Sequence, residues 1–286
     1  MRIYKGVTYI LMSAFCFAIM NVFVKLSGDL PSMQKSFFRN LVSCLFAILL
    51  LLKAKEGFLC KRKDLPLLTL RSVLGTLGIL GNFYAVDHLL LADASMLNKL
   101  SPFFGIVFSS IFLKERATVV QKLAVVLAFV GSLFIIKPGF QYDTILPALA
   151  GFFGGMCAGA AYTCVRGLGK RQVPGPYIVF FFSAFSCLFT LPNLLLDYHA
   201  MSLNQLLCLL MAGLAAAGGQ FSITAAYRHA PAKEISVFDY SQVIFSALLG
   251  FVLFQQIPDG YSVIGYIIII VTAVYMFFYN KRIRVE

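Results

Sequence analysis

The chain has 286 residues, 60% hydrophobic and only 13% charged, with a mean hydropathy of +0.85. A soluble domain is nearer half apolar and a quarter charged, so these values exclude one and define a polytopic membrane protein. The net charge of +12 would suggest nucleic acid in a soluble protein. Here the basic residues fall between apolar runs, where they act as orientation signals facing anionic lipid, and no nucleic-acid partner is expected.

The first six residues, MRIYKG, precede an apolar run in the manner of a signal sequence. That run continues to about Val24 and meets Asn21, Lys25 and Asp29 rather than a small-residue cleavage site, so it reads as a retained helix. Stretches long enough to cross a hydrocarbon layer of ~30 Å as helices follow at 6–26, 34–52, 65–85, 92–113, 119–136, 145–166, 177–196, 203–227, 232–254 and 261–280. The predicted fold is therefore all-α, with ten transmembrane helices. Short linkers carrying Gly, Pro or charge separate them, such as Gly28-Asp29-Leu30-Pro31 and Pro258-Asp259-Gly260.

Lysine and arginine are distributed unequally between the two sides. One side takes Arg2 and Lys5, the run from Lys53 to Lys63, Lys114 to Lys122, Arg166 to Arg171, Arg228 with Lys233, and Lys281 to Arg284. The other takes Lys35 and Lys137. Both termini are accordingly expected in the cytoplasm. Six of the seven cysteines lie in apolar stretches and one, Cys60, in a basic loop; no spacing suggests a metal site or a disulfide framework, and no cofactor is expected.

A shift of 141 residues superposes the two halves without gaps. Lys25 falls on Arg166, Asn21 on Tyr162, Gly78 on Gly219, His88 on His229, Ser95 on Ser236, Asn98 on Asp239 and Glu115 on Gln256. Five spans register on five, dividing the chain at 1–140 and 141–286. An odd number of spans inverts the second half in the membrane, an arrangement that places transporter binding sites near the midplane between repeats.

Lys99 lies about six residues inside span four, and Asp239 about six inside span nine, which enters from the opposite side. At 1.5 Å per residue the two sit about 10 Å apart along the membrane normal, within the reach of a lysine. Ionisable groups at such depth rarely face lipid. Three roles are open to this pair: a structural ion pair, a substrate carboxylate on Lys99, or a titrating Asp239. Ser95, Asn98 and Pro102 accompany Lys99, and Ser236 and Tyr240 accompany Asp239, on neighbouring helix faces. Pro102 also marks a kink, or a moving segment, because it frees a backbone carbonyl. Asn21, Tyr162, Asn82 and Arg71 are further cavity candidates, with interhelical hydrogen bonding as the alternative for the amides. Arg39 could line the pathway or bind headgroups. Lys25 and Arg166, near span ends, read best as anchors reaching the interface. His88 and His229 end spans three and eight and read as interfacial. The glycine series Gly75, Gly78, Gly81 and Gly151, Gly155, Gly159 allow close helix packing. No metal-ligand spacing and no catalytic cluster is found.

The opening AFCFAIMNVFVKL with Arg39 in the next span, and LNKLSPFFGIVFSSIFLKERAT closing on Glu115, resemble the drug/metabolite transporter superfamily, specifically its EamA branch. In that pattern Lys25, Arg39, Arg166 and Glu115 take structural places. The second half departs from it, with Val243 where the repeated proline would stand and Gln256 where the glutamate would. The resemblance implies an alternating-access carrier in a bacterial inner membrane, monomer or homodimer, often an exporter and often proton-coupled. The residues lead us to expect a small polar substrate, an amino acid or related carboxylate compound, with Lys99 holding the carboxylate and Asp239 the amine or a coupling proton. A translocator of lipid or lipid-linked sugar is the alternative, favoured if Arg39 and Arg71 face the bilayer. A membrane enzyme or scaffold would need a catalytic cluster at one interface.

Overall fold

The structure, a computed structural model, describes residues 2–54, 61–112, 118–136, 142–229 and 238–282. Among the described residues we number eleven α-helices and find no strand. They are α1 (Arg2–Leu26), α2 (Ser32–Ala54), α3 (Leu65–His88), α4 (Leu91–Asn98), α5 (Ser101–Phe112), α6 (Val119–Ile136), α7 (Tyr142–Lys170), α8 (Gly175–Leu196), α9 (Leu203–His229), α10 (Ser241–Phe254) and α11 (Gly260–Arg282). Eight are long and apolar enough to cross a membrane. The remaining three belong to two interrupted spans: α4 and α5 together make span four, and Phe238–Asp239 with α10 make the described part of span nine.

The expected single helix over 92–113 is thus two helices. Lys99, with φ −78° and ψ 8°, has left the helical region. Its N–H donates to Ser95 O at 3.0 Å, and Leu100 N–H donates to Leu97 O at 3.2 Å, a tightened final turn. The cause is Pro102, whose ring clashes with the carbonyl four residues back and supplies no N–H. It sits in the first turn of α5, where a missing N–H does no harm. Span nine breaks at the corresponding depth without proline: Tyr240 is the turn residue, and Val243 N–H reaches Tyr240 O at 3.0 Å.

Packing follows an exchange rule. α1 packs on α9 and α3 on α7; α2 packs on α8, α6 on α11, and α4 on α10. Swapping the first five spans for the second five maps each of these pairs onto another of them or onto itself. That is the signature of a two-fold relation between inverted halves. Non-helical backbone in hydrocarbon is tolerated only where protein covers it, and here the cover is α7. A Cβ on Gly159 would stand 2.5 Å from Ser101 O, and one on Gly155 would collide with Leu97 O. The bare glycine face of α7 therefore lies directly against the break in span four. Gly81 makes a similar approach to Ala150 O, at 2.5 Å from its would-be Cβ. Outward, large apolar side chains such as Leu195, Ile244 and Val119 are exposed, as a lipid-facing surface requires.

Gly159→Ala is expected to destabilise the fold by about 1–3 kcal/mol through this overpacking. Gly169→Ala, where nothing lies within 4 Å of the added carbon, is expected to leave thermal unfolding in detergent unchanged.

Candidate functional site

The breaks bring Lys99 and Asp239 together. Lys99 Nζ lies 2.7 Å from Asp239 Oδ2, and the two side chains are only 2% and 1% exposed. Of the three roles open in the sequence, the ion pair is the one seen in this conformation. Around it runs a chain of polar contacts between the halves. Asn82 Nδ2 donates to Asn21 Oδ1 at 3.2 Å, Asn21 Nδ2 reaches Ser95 Oγ at 3.5 Å, and Ser95 Oγ donates to Ser246 Oγ at 2.7 Å. Three helices of the first half and one of the second are joined in this way.

Beside the pair lies a cavity of about 60 Å³. Phe17, Met20, Arg39, Arg71, Gly75, Gly78, Ile79, Asn82, Asn98, Ala158, Ala161, Tyr162, Phe182, Gln220 and Gln242 line it, so both halves contribute. Lys99 and Asp239 are not among the lining residues. Their neighbours Asn98 and Gln242 face it instead.

The cavity carries positive charge. Arg71 is 3% exposed and Arg39 1%. The Arg71 guanidinium stacks over the Phe182 ring, 3.6 Å from its centroid, and the Arg39 guanidinium lies 6.0 Å from the same centroid. Gly75 makes room for this stack, since a Cβ there would stand 2.7 Å from Arg71 Nη1 and 2.8 Å from Phe182 Cε2. Arg71 Nη2 donates to Gln220 Oε1 at 3.4 Å, while its Nε and Nη1 have no partner. Arg39 Nη1 donates to Asn40 Oδ1 at 2.6 Å, and its Nε is unpartnered. Among the described residues neither arginine has a carboxylate partner. Burying an unpaired guanidinium, which never deprotonates, costs several kcal/mol. Such an arrangement leaves donors and positive charge that an anion could satisfy.

The other sequence candidates divide plainly. Asn82, Asn98, Tyr162 and Arg71 reach the cavity, and Arg39 joins them. Asn21 and Ser95 serve the polar chain. Tyr240 packs its ring near Phe103, with centroids 6.4 Å apart. Pro102 sets the break. Lys25, expected as an interfacial anchor, also caps a helix: Nζ donates to Val86 O at 2.8 Å and Leu89 O at 2.7 Å, satisfying carbonyls that the end of α3 leaves unpaired. Arg166 is exposed near the end of α7. His88 is exposed and its Nδ1 lies 2.8 Å from Tyr84 O. Ser236 and Glu115 lie outside the described residues. Phe182, Gln220 and Gln242 were not singled out in the sequence. Gln242 follows Asp239 by three positions, and Gln220 follows Gly218-Gly219 near the middle of its span, so both amides had a legible signal.

A model of the EamA-like transporter family matches residues 4–137 and again 145–278. The chain belongs to that family, within the drug/metabolite transporters, and is a multi-pass membrane protein. It is 33% identical over 273 residues to the pseudopaline exporter CntI of Pseudomonas aeruginosa, covering 94% of this chain and 95% of that one. It is 26% identical over 286 residues to human solute carrier family 35 member G1, covering 94% and 78%. A protein of known crystal structure shares the fold with a TM-score of 0.71 at 14% identity, over 97% of this chain and 98% of that one.

Lys99→Ala alone is expected to lower stability by about 3–5 kcal/mol, because Asp239 is left charged and unpaired. Lys99→Met combined with Asp239→Asn is expected to restore most of it, read as the unfolding midpoint in detergent.

Proposed function

We propose that this chain is a secondary transporter of the alternating-access type. It exports a small carboxylate-bearing metabolite, an amino acid or related compound, across a bacterial inner membrane. The observation that carries this reading is the cavity between inverted halves, lined by two buried arginines that have no acidic partner among the described residues. A binding site at the interface of inverted repeats lets one half move against the other around a fixed cargo. Export rather than import is supported by likeness to an exporter that the chain matches along nearly its whole length. The cytoplasmic placement of both termini rests on the loop lysines and arginines.

Arg71 takes the carboxylate in this reading, in place of Lys99, whose ammonium is already engaged by Asp239 at 2.7 Å. The Lys99–Asp239 pair is assigned to coupling: a proton on Asp239 would neutralise the acid and release the lysine, loosening the two breaks together. The lipid-translocator alternative needs Arg39 and Arg71 turned toward the bilayer, and both line the interior cavity instead. An enzymatic reading is disfavoured, since the cavity groups are cations and amides with no nucleophile–base pair among the described residues. The protein works as a monomer or homodimer with a small-molecule substrate, its lipid bilayer and a coupling proton, and needs no cofactor or nucleic acid.

Proteoliposomes holding the purified protein, screened with labelled amino acids and other organic acids, test the proposal. Saturable, protein-dependent flux of at least one carboxylate compound is expected. Arg71→Gln is expected to reduce that flux at least tenfold, the loss of about one charge-assisted bond. Wild-type flux indistinguishable from empty liposomes across the screen would reject the reading.

A further inference from the structure

We infer that the cargo of this cavity is a small organic dianion, its two negative charges shared between Arg39 and Arg71. The inference rests on reading the cavity as the cargo site and narrows its chemistry, setting a doubly charged anion in place of a simple amino-acid zwitterion. Each described acid near the core is already committed. Asp239 is held by Lys99 at 2.7 Å, Asp87 by Lys35 at 2.6 Å, and Asp64 by Arg171 at 3.0 Å. Asp93 accepts from Tyr266 Oη at 2.7 Å. None of them lines the cavity. Two guanidiniums therefore face one small space with no countercharge from the described residues, and Phe182 holds both over a single ring.

The balance of charge follows from that geometry. A monoanion leaves one buried guanidinium uncompensated. A zwitterion is worse placed, because its ammonium enters beside two cations and meets no carboxylate on the lining. Two negative charges on one molecule neutralise the site, and the unpartnered Nε of each arginine, with Nη1 of Arg71, supplies donors for its oxygens. The amides of Asn82, Asn98, Gln220 and Gln242 are left for neutral parts of the cargo.

The test measures binding in detergent by thermal unfolding of the full chain. The probes are succinate and glycerol 1-phosphate as dianions, with monomethyl succinate and 4-aminobutyrate as monoanion and zwitterion of similar length. At least one dianion is expected to stabilise the protein saturably, at concentrations about tenfold below those at which the last two act. Stabilisation by succinate alone identifies a dicarboxylate, and by glycerol 1-phosphate alone a phosphate monoester. Arg39→Gln is expected to abolish the preference for two charges, and Arg39→Lys to retain it, with both variants monodisperse. The inference is overturned if no dianion stabilises, if monomethyl succinate or 4-aminobutyrate does so equally well, or if Arg39→Gln keeps the preference. Dianion binding without flux in liposomes would sink the transport reading alone, whereas flux of 4-aminobutyrate without dianion binding would sink this inference alone.

Discussion

The fold turns on how an interrupted helix can survive in hydrocarbon. Lipid cannot satisfy a free carbonyl or N–H, so every break in a span must be covered by protein. Here two breaks, one from each half, meet at the Lys99–Asp239 pair. α7 covers the first of them with a glycine face narrow enough to touch the unwound backbone. The polar chain from Asn82 to Ser246 runs alongside. Charge pairing, glycine approach and amide contacts converge on one small volume, and the cavity is what remains beside them. Asn98 and Gln242 reach it because they neighbour the pair in sequence.

The arginines obey a different logic. A buried ion pair satisfies itself and fixes geometry; a buried cation without an acid stores unfavourable energy until something neutralises it. The stack of Arg71 on Phe182 recovers part of that energy through the ring's negative face, about 2 kcal/mol in a desolvated setting. The remainder is available to a ligand. Gly75 is essential to the arrangement, since any side chain there would enter the space taken by the stack. The glycine series on α3 therefore does two jobs, helix packing at Gly78 and Gly81 and site construction at Gly75.

Much of the architecture was legible in sequence. Span lengths, the 141-residue register and the isolated charges at 99 and 239 all report constraints that hydrocarbon imposes on each residue separately. The broken fourth span was only half legible. Pro102 announced a kink, but a full interruption required knowing that α7 offers a bare glycine face at that height. The site was harder still. Lys99 drew attention as an intramembrane cation, yet whether a cation binds cargo or an acid depends on what stands across from it, and that is a tertiary fact. Arg39 and Arg71 were legible as possible lining residues, but their convergence on Phe182 without an acid between them among the described residues is a tertiary fact. Lys25 likewise has the position of an anchor and the contacts of a helix cap.

Gln256 stands where the first half has Glu115, and its Oε1 accepts the N–H of Leu91 at 3.0 Å, closing the first turn of α4. Gln255 beside it adopts a left-handed conformation, φ 54°, that turns the chain back toward that helix. An amide acceptor has no proton to gain, so this contact itself is the same in acid and alkali. Any response to pH at this entrance falls instead to the acids beside it, Asp93 in the first turn of α4 and Asp87 at the end of α3.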